Sequence, residues 1–246
     1  MFESFINLFT NPGRASFVNF SFLPKYSVYF VNGVINTLLL SIGAVLLAII
    51  PALILALMRL SKNKLIKGIS GAYIAVFRST PLLVQLSIIF FGVFNLIKIP
   101  NIVLFYGFIR LNTFIPFVVA LALNSSAYVA EIFRAGILAV DSGQMEAARS
   151  LGLSKWDSMK LVVLPQAVKN VLPAIANEVV TMVKESSICS SYGTMELMWA
   201  AKTVAGSTMI GVGPYVLVAI IYFCINYPAS KAIEAIERRM RRGDKQ

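Results

Sequence analysis

The sequence predicts an all-α polytopic membrane protein with five transmembrane helices. Of its 246 residues, 58% are hydrophobic and only 13% are charged, whereas a soluble domain carries about 25% charged residues. The apolar segments are long and do not alternate with polar residues, which favours helices over the strands of a barrel. Helices and closed barrels are the structures that pair all their backbone polar groups inside a bilayer.

Five apolar segments are the candidate spans, and the first carries no charge from Tyr26 to Met58. The predicted spans are about 31–58, 68–96, 113–138, 168–185 and 209–228. The aromatic, amphipathic residues 1–28 are predicted to lie at the membrane interface. Residues 29–240 form a single predicted membrane domain, and residues 241–246 form a tail.

The basic residues predict the orientation of the chain. Lysine and arginine concentrate in 59–67, 134–169 and 231–246, and they are sparse in the segments between these. Because basic loops stay in the cytoplasm, we expect the N-terminus outside and the C-terminus and the block 134–169 inside. The net charge of +11 is thus explained by topology, and no nucleic-acid partner is expected.

The polar block reads as two short helices joined by a turn, at about 141–165. Asp141 and Gln144 form a pair resembling a capping box at the start of the first helix. Gly152 suits the left-handed residue that ends a helix, and Ser154 caps the second helix. Pro165 is predicted to end or kink that helix.

The same block carries a motif with specific spacing. It comprises Glu146, Ala147, Ala148, Gly152, an aliphatic residue at Val162, Leu164 and Pro165. This pattern resembles the cytoplasmic coupling motif of permease subunits in ABC importers, although Ile is more usual than Val at position 162. The segments FRSTPLLVQL (77–86), NSSAYVAEIFRAGILAV (124–140) and VKESSI (183–188) are similar to the polar amino-acid branch of that family.

The resemblance implies partners and a mechanism. Two ATPase subunits, which hold ATP and magnesium, would bind the coupling helices of two permease subunits, either two copies of this chain or this chain and a sister chain. An external binding protein would deliver a polar amino acid, and the complex would translocate it across the bacterial cytoplasmic membrane by alternating access. The chain itself has no phosphate-loop motif, so we expect no ATPase site, bound cofactor or catalytic residue of its own.

Polar and charged residues within the spans are candidates for the substrate pathway, because they are costly in a bilayer. They are Arg78, Gln85, Glu131, Glu178 and Ser187. An arginine suits a carboxylate, and a glutamate suits an ammonium group. The alternative is that Arg78 pairs with a glutamate on a neighbouring helix and only holds the bundle together, as serine and asparagine side chains also do.

Two other functions are considered. An ion-coupled secondary transporter or channel would show inverted repeats or ionisable relays, and we find no internal repeat. A membrane enzyme would need a nucleophile with a base, or a metal site. The sequence has no histidine and two cysteines, so no metal site is expected.

Overall fold

The first helix of this computed structural model, which describes residues 19–97, 99–104 and 107–242, is longer than predicted. Helix α1 spans Leu23–Leu60, 38 residues, or about 57 Å. The helix is therefore longer than the hydrocarbon core of a bilayer, which is about 30 Å thick. It is tilted in the membrane or projects from it. It includes the end of the segment predicted as interfacial, and residues 1–18 of that segment lie outside the described residues.

The second predicted span, 68–96, is sharply bent rather than continuous. It consists of α2 (Lys64–Ser79) and α3 (Leu82–Ser87), which continues as a π-helix over Ile88–Val93. The two parts meet at 108°. The cause is Pro81, because proline disfavours the helical conformation in the residue before it, and Thr80 is accordingly extended.

Helix α4 (Leu111–Leu138) matches the third predicted span and packs along α1. A short antiparallel hairpin precedes it, formed by β1 (Val103–Leu104) and β2 (Ile109–Arg110). Small residues line the contact between the helices. They are Ala44, Ala48, Ala52 and Ala56 on α1 and Ala120, Ala127 and Ala130 on α4, all buried. Small side chains allow helix backbones in a membrane to approach closely.

The polar block leads directly into the fourth span. It contains α5 (Ser142–Ser150) and α6 (Lys155–Ser158), and a π-helix over Met159–Val163 joins α6 to α7 (Leu164–Glu185). Pro165 does not end the second helix, as the sequence suggested it could. It occupies the first turn of α7, where a missing N–H group is tolerated, and the helical run continues to Tyr192.

Two further helices complete the bundle. A 3-10 segment, Ser186–Tyr192, precedes the short α8 (Leu197–Thr208), whose N-cap is the fully buried Glu196. Helix α9 covers Gly213–Arg242, so it begins later than predicted and continues through residues predicted as tail. Among the described residues, four helices are long and apolar enough to span a membrane, or five if the bent pair is one span.

Candidate functional site

The first helix of the polar block is fixed at its start by Asp141. The side chain of Asp141 accepts a hydrogen bond from the backbone N–H of Gly143 at 2.6 Å, and its carbonyl accepts from Gln144 N–H at 3.1 Å. Capping of this kind satisfies N–H groups that have no partner within the helix. The predicted cap at Asp141 is therefore present, with Gly143 as the bonded residue. The predicted capping-box partner, Gln144, instead accepts from Gln166 through its side-chain oxygen.

The turn between the two helices is a Schellman motif centred on Gly152. Gly152 has a φ of +87°, which costs little only for glycine. Its N–H donates to the carbonyl of Arg149 at 3.0 Å, and the N–H of Leu153 donates to the carbonyl of Ala148 at 3.2 Å. These are the two bonds that define this helix ending. The turn is thus determined by the glycine.

The second helix begins at Ser154, whose hydroxyl accepts from the N–H of Asp157 at 3.1 Å. Ser154 is separated from Gly152 by a single residue, so both helix ends of the turn are capped within three positions. Gln166 on α7 also donates to Gln144 on α5 at 3.2 Å. The block is therefore a rigid helix–turn–helix unit.

The outer surface of the block combines a carboxylate with apolar side chains. Leu151 is 85% exposed, Trp156 is 70% exposed and Leu161 is also exposed. Of the six predicted motif residues, Ala148 is buried, and the exposed ones are Glu146, Ala147, Gly152, Leu164 and Pro165. Ala148 packs the unit together, while the others lie on its surface. Exposed apolar residues on a polar block mark an interaction surface.

The predicted pathway residue Gln85 closes the bend between α2 and α3. In a regular helix the carbonyl of Phe77 would accept from residue 81, but Pro81 has no N–H group. The Gln85 amide nitrogen donates to the carbonyl oxygens of Phe77 at 2.8 Å and Thr80 at 3.0 Å. Its oxygen accepts from the side chain of Asn124 at 2.8 Å. These bonds satisfy the groups that the bend releases.

Glu178 and Glu131 are each paired inside the bundle. Glu178 on α7 is buried, and it accepts from the hydroxyl of Ser125 on α4 at 2.8 Å. Glu131 forms an ion pair with Arg134 at 2.8 Å. Both carboxylates therefore have protein partners, and neither of these partners is Arg78.

Arg78 lies at the end of α2 and is exposed. Its guanidinium group stands over the ring of Tyr128, with the carbon atom 5.4 Å from the ring centroid. A cation–π contact of this kind leaves the N–H donors of the guanidinium able to bind an anion. Arg78 thus contacts an aromatic ring, whereas Glu178 and Glu131 contact a hydroxyl group and an arginine.

Ser187 lines a groove between α7 and α9. The groove has a volume of about 540 Å³ and its lining includes Lys184, Ser187, Tyr222, Asn226, Tyr227 and Ser230. The side-chain oxygen of Asn226 is buried and has no hydrogen-bond partner within the described ranges. A cation and an unpaired acceptor therefore lie in one groove.

Most of the chain matches one known protein family. Residues 44–242 match the family described as the binding-protein-dependent transport system inner membrane component. The chain belongs to this family. The permease is accordingly a multi-pass protein of the cytoplasmic membrane, and a subunit of an ABC transport system.

Individual relatives agree over nearly the whole permease. A putative glutamine transport system permease protein of Rickettsia bellii is 37% identical over 90% of this chain and 98% of its own. An arginine transport system permease protein of Bacillus subtilis is 36% identical over 88% and 94%. The solved structure of an amino acid ABC transporter with histidines is 44% identical, with a TM-score of 0.80, over 90% of this chain and 99% of its own.

Sequence reasoning missed most of the permease groove. Lys184 entered the sequence analysis only as part of the segment VKESSI (183–188), and Tyr222, Asn226, Tyr227 and Ser230 were not singled out. Their spacing on α9, at 222, 226, 227 and 230, places them on one helix face. That spacing was a usable signal, but the groove also depends on how α7 packs against α9, which the sequence does not state.

Proposed function

We propose that the permease is the transmembrane subunit of an ATP-driven importer that carries a polar amino acid into the cell by alternating access. The observation that carries this proposal is the rigid, surface-exposed helix–turn–helix of residues 141–165. We refer to it below as the coupling block. The relatives named for glutamine and arginine transport support an amino acid as the substrate.

The coupling block is suited to transmit movement because both of its ends are joined tightly to spans. Helix α4 ends at Leu138 and α5 begins at Ser142, so three residues separate them. At the other end, α6 runs through the π-helix into α7 without a break. A force on the block would therefore reach two spans directly, whereas a flexible loop would absorb it.

The proposed partners follow from this arrangement. Two ATPase subunits, each holding ATP and magnesium, would bind the coupling blocks from the cytoplasm, with the N-terminus of the permease outside. The exposed Trp156 is of a residue type that is enriched in binding hot spots. Leu151 and Glu146 are exposed on the same block and would add an apolar and a charged contact. A second permease subunit, identical or a sister chain, and an external binding protein complete the complex.

The groove between α7 and α9 matches the two charged groups that every amino acid carries. The ammonium group of Lys184 would bind the carboxylate, and hydroxyl oxygens that line the same groove would accept from the amino group. Ser187 lies in the same groove and adds a hydroxyl. Arg78, whose guanidinium is exposed, is a second candidate to bind the substrate carboxylate. Gln85, Glu131 and Glu178 would stabilise the helices that form the pathway.

The coupling block can be tested by co-purification with a candidate ATPase subunit. Glu146→Ala and Gly152→Val should each reduce recovery of the ATPase by about tenfold or more, the effect expected of an interface hot spot. Gly206→Ala is the matched control, because a side chain there meets nothing within 4 Å and it lies outside the block. Equal recovery with all three variants would contradict the proposal.

A further inference from the structure

Three charged side chains join α1 to α4 at the ends nearest the coupling block. Nε of Arg134 donates to Oε2 of Glu131 at 2.8 Å, and Nη2 of Arg134 lies 2.8 Å from the same oxygen in an ion pair. The other carboxylate oxygen, Oε1, lies 3.7 Å from Nε of Arg59 on α1. The Glu131 carboxylate thus contacts two arginines. Arg134 on the same helix is 2.8 Å away, and Arg59 on the neighbouring helix is 3.7 Å away.

The contact between Nε of Arg59 and Oε1 of Glu131 is too long for a hydrogen bond. Nε of Arg59 is buried and has no hydrogen-bond partner in the part of the chain that the structure describes. A buried donor without an acceptor is costly. The distance of 3.7 Å to Oε1 is about 0.8 Å longer than a usual N–H···O bond. A small shift of α4 relative to α1 would therefore complete this bond.

Arg59 is supported from the opposite side by α2. A Cβ atom built on Gly71 would lie 3.0 Å from Nη1 of Arg59, so the guanidinium lies directly against the backbone of α2. The hydroxyl of the preceding residue, Ser70, donates at 2.7 Å to the carbonyl of Leu55, one turn before Arg59 on α1, and this bond fixes α2 to α1. Arg59 is therefore held on α1 and α2, and movement of α4 is what changes its distance from Glu131.

We propose that Glu131 is a positioning residue that ties α1 to the movement of the coupling block, closing its bond with Arg59 in one transport state and opening it in another. Glu131 lies two turns before the end of α4 at Leu138, and α4 is linked to the block by three residues. Displacement of the block by the ATPase subunits would move Glu131 with it. This inference rests on the proposed function of the block.

The test measures the ratio of substrate uptake to ATP hydrolysis by the complete complex in proteoliposomes. The substrate is the one of the twenty standard amino acids that the native complex takes up fastest. Glu131→Gln should lower this ratio by about 2- to 30-fold, the range of coupling changes from residues that contact no ligand. Arg59→Gln, which leaves the Glu131–Arg134 pair intact, should have the same effect. The double variant should be no worse than Glu131→Gln alone, because that variant has already lost the Arg59–Glu131 interaction.

Glu234→Gln is the matched control, since it removes a carboxylate from the exposed pair with Lys231 on α9. It should leave the ratio unchanged. If the Arg59 and Glu131 variants lower Tm, uptake and ATP hydrolysis in parallel and keep the ratio, the pair is only structural and the inference is wrong.

The coupling-block variants separate this inference from the proposed function. If Gly152→Val lowers the ratio and Glu131→Gln does not, the inference alone fails. If Gly152→Val leaves both ATPase recovery and the ratio unchanged, the proposed function of the block fails.

Discussion

At the residue scale, Gln85 shows how one side chain makes a sharp bend possible in a membrane span. Its amide supplies the N–H that Pro81 lacks, and its oxygen holds Asn124 on α4. The sequence singled out Gln85 as polar and within a span, which was enough to mark it as important. It did not indicate the bend, because the prediction treated 68–96 as one span and did not ask which donor would replace the missing N–H of Pro81.

Removal of the Gln85 amide should destabilise the permease. Gln85→Leu leaves the two carbonyl oxygens and the Asn124 amide without these bonds, and each buried unpaired group costs about 1–3 kcal/mol. Thermal unfolding in detergent should show a clear loss of Tm. Asn32→Leu is the control, because that amide donates only one turn back, to Val28 on its own helix, and the change should cost about 0.5 kcal/mol or less. Similar Tm values for the two variants would contradict this role of Gln85.

At the element scale, the coupling block was the part of the protein best predicted from sequence. Asp141, Gly152 and Ser154 act locally, through caps and a left-handed residue, and local rules are sufficient to place them. Pro165 was predicted less well. Its effect depends on the π-helix before it, which widens the backbone over Met159–Val163 and lets the helix pass into α7. No simple periodicity in the sequence indicates a π-helix.

The packing of α4 against α7 depends on Gly136. A Cβ atom at this position would overlap Cγ2 of Val171, so Gly136→Ala should destabilise the permease by about 1–3 kcal/mol through overpacking. The double variant Gly136→Ala with Val171→Ala should recover much of the Tm, because the smaller side chain makes room for the added methyl group. A higher Tm for Gly136→Ala alone, as helix propensity would give, would show that the two helices are not packed this closely.

At the scale of the whole molecule, composition and hydropathy were sufficient to predict an all-α membrane protein, because a bilayer leaves few alternatives. The prediction of five spans agrees with the described residues if the bent pair of α2 and α3 counts as one span. The exact ends of α1 and α9 were not predicted, since both helices continue beyond the apolar residues that define a span. The groove with Lys184 and Asn226 was missed for another reason. It arises from the contact of α7 with α9, two elements far apart in the sequence, and such contacts leave no local pattern.

The proposed function requires ATP hydrolysis by partner subunits as the source of energy for uptake. The most direct test is uptake of labelled amino acids into proteoliposomes that contain the permease, its ATPase subunits and the external binding protein. We expect uptake that requires ATP and the binding protein, is unaffected by collapse of ion gradients, and is lost in Gly152→Val. Uptake by the permease alone that follows a sodium or proton gradient without ATP would contradict the account and favour an ion-coupled secondary transporter.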